Sequence, residues 1–138
     1  MSRIALPRTL VNQLLHHAQR APEDEVCGLI GAAADGAMRL YPVANVAEDA
    51  HHLFIMEPKG QIDAMRQMRQ AGETLFAIYH SHPHAPAAPS SLDLQQAAYP
   101  EALYLIVSLD TQGVLEMRGY RLHDGAVENI ELELLEGQ

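Results

Sequence analysis

The chain has 138 residues and is 48% hydrophobic, which is enough for one buried core and excludes a disordered chain. Asp and Glu number 18 against 9 Lys and Arg, and the formal net charge of −9 argues against nucleic acid or an anionic membrane surface as partners. The single cysteine, Cys27, excludes an intramolecular disulfide and fits a reducing compartment, and we expect residues 1–138 to form a single domain.

The N-terminal segment predicts a short strand and an amphipathic helix rather than a targeting signal. Residues 3–6 are the candidate strand, and Pro7 begins a helix that runs to Pro22. The apolar face of this helix carries four residues at helical spacing, Leu10, Leu14, Leu15 and Ala18. His16 and His17 point about 100° apart, so we interpret them as surface or boundary residues rather than a metal-binding pair. Because no run of about 18 apolar residues would span a bilayer, we expect a cytoplasmic protein.

Strand-like segments follow this helix. Residues 25–33 predict a largely buried strand that ends at a turn marked by Asp35 and Gly36. Further strand-like stretches cover residues 38–47 and 52–56.

A second helix is expected to begin at Pro58 and to end at Gly72. Its predicted core face carries three apolar residues at helical spacing, Ile62, Met65 and Met68, with Arg69 as a further candidate for that face. We interpret the methionines as core-filling residues, not as part of a cofactor site.

The next part of the chain predicts a strand, a loop, a helix and another strand. Residues 75–82 form the first strand, which runs into a proline-rich loop. A helix begins near Ser91, where a hydroxyl cap precedes an acidic first turn. The apolar run at 102–109 is typical of a central strand that is buried on both faces.

The C-terminal part predicts a hairpin. A turn is expected at 110–113, and the strand-like stretches 115–122 and 127–135 are joined at Asp124-Gly125. We expect these last strands to form an edge of the sheet. The order of elements predicts a three-layered α/β domain with one mixed sheet between helices.

The most informative residues lie at the end of the 75–82 strand. His80 and His82 are two residues apart, so their imidazoles point to the same side of the strand and offer a tetrahedral metal two nitrogen ligands. Asp93 follows beyond a loop that is long enough to fold back, and it would add a carboxylate oxygen. Three such ligands leave the fourth position of zinc open to water, which is typical of a catalytic site.

Water activated by a metal still needs a base, and several carboxylates precede the histidines. The candidates are Glu23, Asp24, Glu25, Glu48, Asp49 and Glu57. Glu25 stands out because it opens an apolar strand, where a charged side chain is unusual. Spacing alone does not choose among these six.

Each of these residues also has a plainer interpretation. A lone HxH is more often a pair of half-buried histidines, and Asp93 is placed to satisfy the start of a helix, as are Ser90 and Ser91. His84 and the pair His51 and His52 are expected in loops, and Cys27 is expected to fill the core. The combination of residues, rather than any one of them, favours a metal site.

Two stretches of the chain together resemble the JAMM (MPN+) metalloprotease family. The first reads Glu25-Val26-Cys27-Gly28-Leu29-Ile30-Gly31, and the second reads His80-Ser81-His82-Pro83 followed by Ser90 and Asp93. All five signature positions are filled, and the likeness extends from about residue 3 to about residue 125. HxH alone is a weak signal, but HxH with the correctly spaced serine, aspartate and upstream glutamate is a specific one.

The resemblance implies a fold, a cofactor and a role for each residue. The fold would be a single JAB/MPN domain whose mixed, curved sheet is flanked by helices, with layers like those of a cytidine deaminase. His80, His82 and Asp93 would bind one Zn²⁺ per chain with water as the fourth ligand. Glu25 would be the general base and then the proton donor to the leaving amine, and Ser90 would donate a hydrogen bond to the developing oxyanion.

The resemblance also implies a substrate class, namely proteins that end in Gly-Gly. Family members cut peptide or isopeptide bonds after the C-terminal Gly-Gly of ubiquitin or ubiquitin-like proteins, and short bacterial members are associated with sulfur-carrier proteins. The segment between Glu25 and His80 and the segment after Asp93 are both short, so little room remains for ubiquitin-gripping insertions. We therefore expect a minimal enzyme that acts on a ubiquitin-like sulfur carrier.

Two other classes of function remain as alternatives. Domains of this fold also serve as catalytically silent protein-binding scaffolds, but those typically lose the metal-site His or Asp, which this chain retains. A nucleoside deaminase would need H-x-E with P-C-x-x-C, and neither pattern occurs in the sequence.

Overall fold

A mixed β-sheet with helices on both faces organises the residues that the computed structural model describes, which are 3–110 and 115–135. In chain order the elements are β1 (Arg3–Pro7), α1 (Arg8–Gln19), β2 (Cys27–Ala33), β3 (Met38–Val43), α2 (Pro58–Gln70), β4 (Glu73–His82), α3 (Ser91–Gln96), β5 (Leu103–Ser108), β6 (Glu116–His123) and β7 (Ala126–Leu135). The strand order across the sheet is β1-β7-β6-β5-β4-β2-β3. None of the helices in these ranges is long and apolar enough to cross a membrane.

The centre of the sheet is the rigid part of the fold. β4 is antiparallel to β2 and parallel to β5, so both of its sides are hydrogen-bonded. Every residue of β5 is buried, which confirms the prediction of a central strand over 102–109. One apolar core lies under α1, and the other lies on the opposite face under α2 and α3. Any side chain at the end of β4 is therefore held by structure on both sides.

The two long helices differ in how well their buried faces were predicted. On α1 the residues Leu10, Leu14 and Ala18 are buried, and Leu15 packs at the margin of the same core. On α2 the buried face is set by Ala64 and Met68, which are one turn apart, and Met65 packs beside them. The prediction for Ile62 is wrong: its side chain is 58% exposed, because Ala64 and Met68 turn the other side of the helix to the sheet.

The connection between β3 and α2 also departs from the prediction. β3 ends at Val43, and residues 52–56 form no strand but contribute one isolated bridge, between Asn45 and Met56. Three apolar residues of this stretch, Phe54, Ile55 and Met56, line the cleft described below instead of taking a place in the sheet.

The C-terminal hairpin is present but is not an edge. β6 and β7 are antiparallel, and Asp124 and Gly125 join them with φ values of 53° and 75°, as a two-residue turn requires. β1 pairs with β7 in parallel and covers it, so the edge strands are β1 and β3. The turn expected at 110–113 lies outside the described residues except for Asp110.

Leu14 allows a test of the contact between α1 and the sheet. Its side chain is fully buried, so Leu14→Ala removes apolar contacts and leaves a cavity. We expect the free energy of unfolding to fall by about 3 kcal/mol in urea denaturation. Gln13→Ala, on the exposed side of the same helix, is the control and is expected to change it by less than about 0.5 kcal/mol. Similar values for the two variants would show that α1 does not pack as described.

Candidate metal centre

The two motif histidines lie side by side at the end of β4. His80 and His82 are buried, with 1% and 2% of their surface exposed, and their ring centroids are 4.9 Å apart. Phe54 stacks on His80 at a centroid distance of 4.5 Å and an interplanar angle of 28°. The two imidazoles therefore face the same side of the strand, as their spacing predicted, and an aromatic wall fixes one of them.

Asp93 reaches the histidines from the first turn of α3. The Ser90 hydroxyl oxygen accepts the N–H of Asp93 at 3.0 Å, and Oδ2 of Asp93 accepts the N–H of Ser90 at 2.8 Å. This reciprocal pair is a capping box, in which Ser90 and not Ser91 is the N-cap. The plainer interpretation of Asp93 and Ser90 as helix caps is thus correct, and the cap also points the carboxylate at the histidines.

Three ligand-type atoms converge at this point. Nε2 of His80 lies 3.1 Å from Nε2 of His82, and each nitrogen lies 3.2 Å from Oδ2 of Asp93. A tetrahedral zinc ion with bonds of about 2.0–2.1 Å holds its ligand atoms about 3.3 Å apart. The observed triangle has nearly that edge length, so the residues fit a metal ion of this size.

The contacts of the two imidazole rings favour an orientation in which Nε2 of each histidine faces the cluster. Nδ1 of His82 lies 2.8 Å from the carbonyl oxygen of Pro86, which can only accept, so Nδ1 carries the proton and the lone pair of a neutral ring is on Nε2. Nδ1 of His80 is buried and has no hydrogen-bond partner among the described residues. For His80 the stacking of Phe54 takes the place of the hydrogen bond that usually orients a metal-binding ring.

The charges at the site are strongly coupled. Burial lowers the pKa of His80. Burial also opposes protonation of His82, but hydrogen bonds to Asp93 and to the Pro86 carbonyl, together with the charges of Asp93 and Glu25, raise the pKa of His82. Burial favours the neutral form of Asp93, but its contacts with both histidines and the N–H of Ser90 hold the pKa of its carboxyl below the usual range. Asp93 is therefore an anion in this site, as a metal ligand must be.

Glu25 completes the cluster. Its carboxylate and the ligand atoms of His80, His82 and Asp93 all lie within 4.8 Å of one another. Glu25 is 5% exposed, and its Oε1 has no hydrogen-bond partner in the described part of the chain. Burial, with the nearby charges of Asp93 and Asp49 and against that of His82, raises the pKa of Glu25 to about 7. A buried carboxyl that exchanges its proton near neutral pH is suited to general acid–base chemistry.

The other carboxylates that the sequence left open do not reach the cluster. Three of them pair instead with loop histidines: Asp49 with His52 at 2.9 Å, Asp24 with His51 at 3.2 Å and Glu23 with His84 at 3.3 Å. Glu48 is exposed, and Glu57 precedes α2. The expectation that His51, His52 and His84 are loop residues is confirmed.

Cys27 is not a nucleophile in this structure. Its side chain is fully buried, and its Sγ lies 3.3 Å from the carbonyl oxygen of Val43. Burial, followed by the charge of Glu25, raises the pKa of the thiol to about 12. The interpretation of Cys27 as a core residue is confirmed.

Three features beside the cluster were not found from the sequence. Ser81, between the two histidines, accepts the N–H of Val26 on its hydroxyl at 2.9 Å and so ties the start of β2 to β4. Phe54 lies in the stretch that was predicted as a strand. A cleft of about 310 Å³ opens beside the cluster, and it is lined by Leu29, Phe54, Ile55, Met56, Gln61, Ile78, His80, Asp93, Gln96, Ala97, Ala98, Tyr99 and Tyr104. Of these three features, the sequence pattern included only Ser81, as the middle residue of HxH, and it did not predict the hydrogen bond to Val26.

Comparison with known proteins identifies the family of the chain. A family model described as prokaryotic homologs of the JAB domain matches residues 7–122. The chain is 35% identical to the CysO-cysteine peptidase of Mycobacterium tuberculosis over 129 residues, which cover 92% of this chain and 88% of that protein. It is 30% identical to the desampylase of Haloferax volcanii over 115 residues, covering 79% and 83%. The chain therefore belongs to the prokaryotic JAB-domain family.

Solved structures show the same fold. A Desulfitobacterium hafniense protein superimposes with a TM-score of 0.84 at 33% identity, covering 96% of this chain and 92% of that one. A JAB1/MPN domain protein from Archaeoglobus fulgidus matches with a TM-score of 0.58 at 21% identity, covering 94% and 99%. The second likeness concerns the fold alone, and it confirms the expected JAB/MPN architecture with its mixed sheet.

The metal centre is testable through two nearby histidines, one at the end of β4 and one in the loop that follows it. We expect His82→Ala to lose bound metal, because it removes one corner of the triangle. His84→Ala is the matched control and is expected to keep the metal, since His84 is exposed and pairs with Glu23, outside the cluster. Metal content per chain is measured by elemental analysis after reconstitution with zinc. Equal metal content in the two variants would remove His82 from the ligand set.

Proposed function

We propose that this protein is a zinc metallopeptidase in which His80, His82 and Asp93 hold one Zn²⁺ per chain and water takes the fourth position. The observation that carries the proposal is the buried convergence of these three groups with Glu25. Two neutral nitrogens and one carboxylate oxygen form a donor set typical of catalytic zinc. Residues 1–138 would work as one domain.

Glu25 is proposed as the general base and then the general acid. A zinc ion bound at this site would supply Lewis acidity, which polarises a carbonyl and acidifies a water molecule. Glu25 would take a proton from the attacking water and pass it to the leaving amine. Its buried, unpartnered Oε1 beside the three proposed ligands supports this role, as does the upward shift of its pKa that burial causes.

Ser90 is proposed as a donor to the oxyanion that forms at the carbonyl. Its oxygen already accepts the N–H of Asp93, so its own hydroxyl proton is available to donate. The same contact fixes the side chain at the start of α3. A preorganised donor of this kind is typically worth about 3 kcal/mol in the transition state.

The proposed substrate is a ubiquitin-like sulfur-carrier protein, or a conjugate of one, cut after its C-terminal Gly-Gly. Two relatives of similar length are named as a peptidase acting on CysO-cysteine and as a desampylase, and the chain covers most of each. The cleft beside His80 and Asp93 has apolar and aromatic walls along which an extended segment could lie. Glycine before the cut would let the substrate backbone approach the buried cluster closely.

The substrate class is tested with purified protein and sulfur carriers that are extended beyond Gly-Gly, either by one amino acid or by a lysine-linked peptide. We expect release of the extension, with a new C-terminal Gly-Gly detected by mass spectrometry. Inhibition by a zinc chelator and recovery on adding zinc are expected as well. Intact carriers together with cleavage of unrelated peptides would overturn the substrate, and no cleavage of any kind would favour a binding scaffold.

Glu25→Gln isolates the proton-transfer role, because glutamine keeps the size of the side chain and cannot exchange a proton. We expect zinc content to be unchanged and kcat to fall by about 10²-fold or more. Glu23→Gln is the control, since Glu23 is exposed and lies outside the cluster. Loss of zinc from Glu25→Gln would indicate a ligand, and retained activity would contradict the base.

A further inference from the structure

The loop between β3 and α2, residues 44–57, brings its two ends together beside the site. The N–H of Val46 donates to the carbonyl of Ile55 at 2.8 Å, and the N–H of Glu57 donates to the carbonyl of Ala44 at 2.9 Å. Asn45 and Met56 form the only bridge that lies outside the described strands. The loop has no helix or strand of its own, so its shape depends on a few specific hydrogen bonds.

The side-chain amide of Asn45 makes four hydrogen bonds, three within this loop and one to Glu25. Its Nδ2 donates to the carbonyl oxygens of Glu25 at 2.8 Å and Leu53 at 3.0 Å. Its Oδ1 accepts the N–H groups of Ala47 and Ile55, both at 3.0 Å. Two carbonyls on one side and two N–H groups on the other allow a single orientation of the amide, because the reverse would bring like groups together.

These four bonds join two parts of the site that no strand connects. One bond holds the backbone of Glu25, the proposed base, whose own N–H donates to Ala50 in the same loop at 2.7 Å. Two others hold the residues on either side of Phe54, whose ring stacks on His80 and lines the cleft. One side-chain amide, that of Asn45, therefore hydrogen-bonds both to the backbone of the base and to the two neighbours of the aromatic wall.

We propose that Asn45 is a positioning residue that fixes Glu25 and the Phe54 wall of the cleft relative to each other. The inference rests on the proposed function for its kinetic consequence, because it assigns to one side chain the alignment of both the base and the substrate path. Asn45 touches neither substrate nor metal in this role. It acts through the backbone of Glu25 and through the two neighbours of Phe54.

The test is Asn45→Asp, which keeps both acceptor contacts and replaces the two donors with an oxygen that faces two carbonyls. We expect bound zinc to be unchanged, because the three proposed ligands lie on β4 and α3. We expect kcat per bound zinc to fall by about 10- to 100-fold and KM to rise, since both base and cleft wall shift. Asn129→Asp makes the same charge change on an exposed position of β7 and is expected to leave all three quantities unchanged.

Asn45→Ala, which lacks the repulsive oxygen, is the second variant, and hydrogen exchange is the readout that needs no substrate. We expect faster exchange at the amides of Ala47 and Ile55 in Asn45→Ala, which removes their acceptor, and at the amide of Glu25 in both variants, with β4 and β5 still protected. Lost stability with unchanged kcat and KM per bound zinc would overturn the proposal, as would unchanged exchange at those amides or global unfolding of both variants. If the wild-type chain cuts no substrate, the proposed function fails, while the exchange result still decides whether Asn45 couples the two parts.

Discussion

Two imidazole nitrogens and one carboxylate oxygen lie 3.1–3.2 Å from one another at the buried end of β4. Polar groups in such a place are costly unless each has a partner, and a metal ion is the partner that suits all three at once. The central position of β4 makes this arrangement possible. With β2 on one side and β5 on the other, the backbone that carries both rings is hydrogen-bonded along both of its sides.

Around that point, single residues serve both the fold and the site. The carboxylate of Asp93 completes the N-terminal cap of α3 and also faces the histidines, so the helix could not begin in another register without moving this carboxylate away from them. The hydroxyl of Ser81 satisfies the N–H of Val26 and thereby keeps the start of β2, with Glu25, against β4. Substitutions at such positions are expected to change stability and activity together, and metal content is the measurement that separates the two effects.

The irregular loop at 44–57 is where the fold leaves the sheet and shapes the site. It contributes no ligand, yet Phe54 sets the orientation of His80 and Asn45 holds the backbone of Glu25. Loops of this kind carry specificity in many proteins, because their side chains are free of the packing demands of a sheet. The apolar walls of the cleft come partly from this loop and partly from the segment after α3.

Patterns within one element were predictable from the sequence. The spacing of His80 and His82 set their common direction, because side chains alternate along a strand, and the apolar run at 102–109 identified the central strand. Family resemblance singled out Glu25 from six carboxylates where spacing did not, and the structure gathers that one into the cluster.

What the sequence did not determine depends on contacts between distant segments. Ile62 looked like a core residue, but the sheet packs against Ala64 and Met68 on another side of the helix. Residues 52–56 have the composition of a strand, but with Asn45 holding their backbone and Phe54 stacked on His80 they line the site instead. Side-chain direction along an element is a local property, whereas the meeting of loops from different parts of the chain is decided only when the sheet closes and brings their ends together.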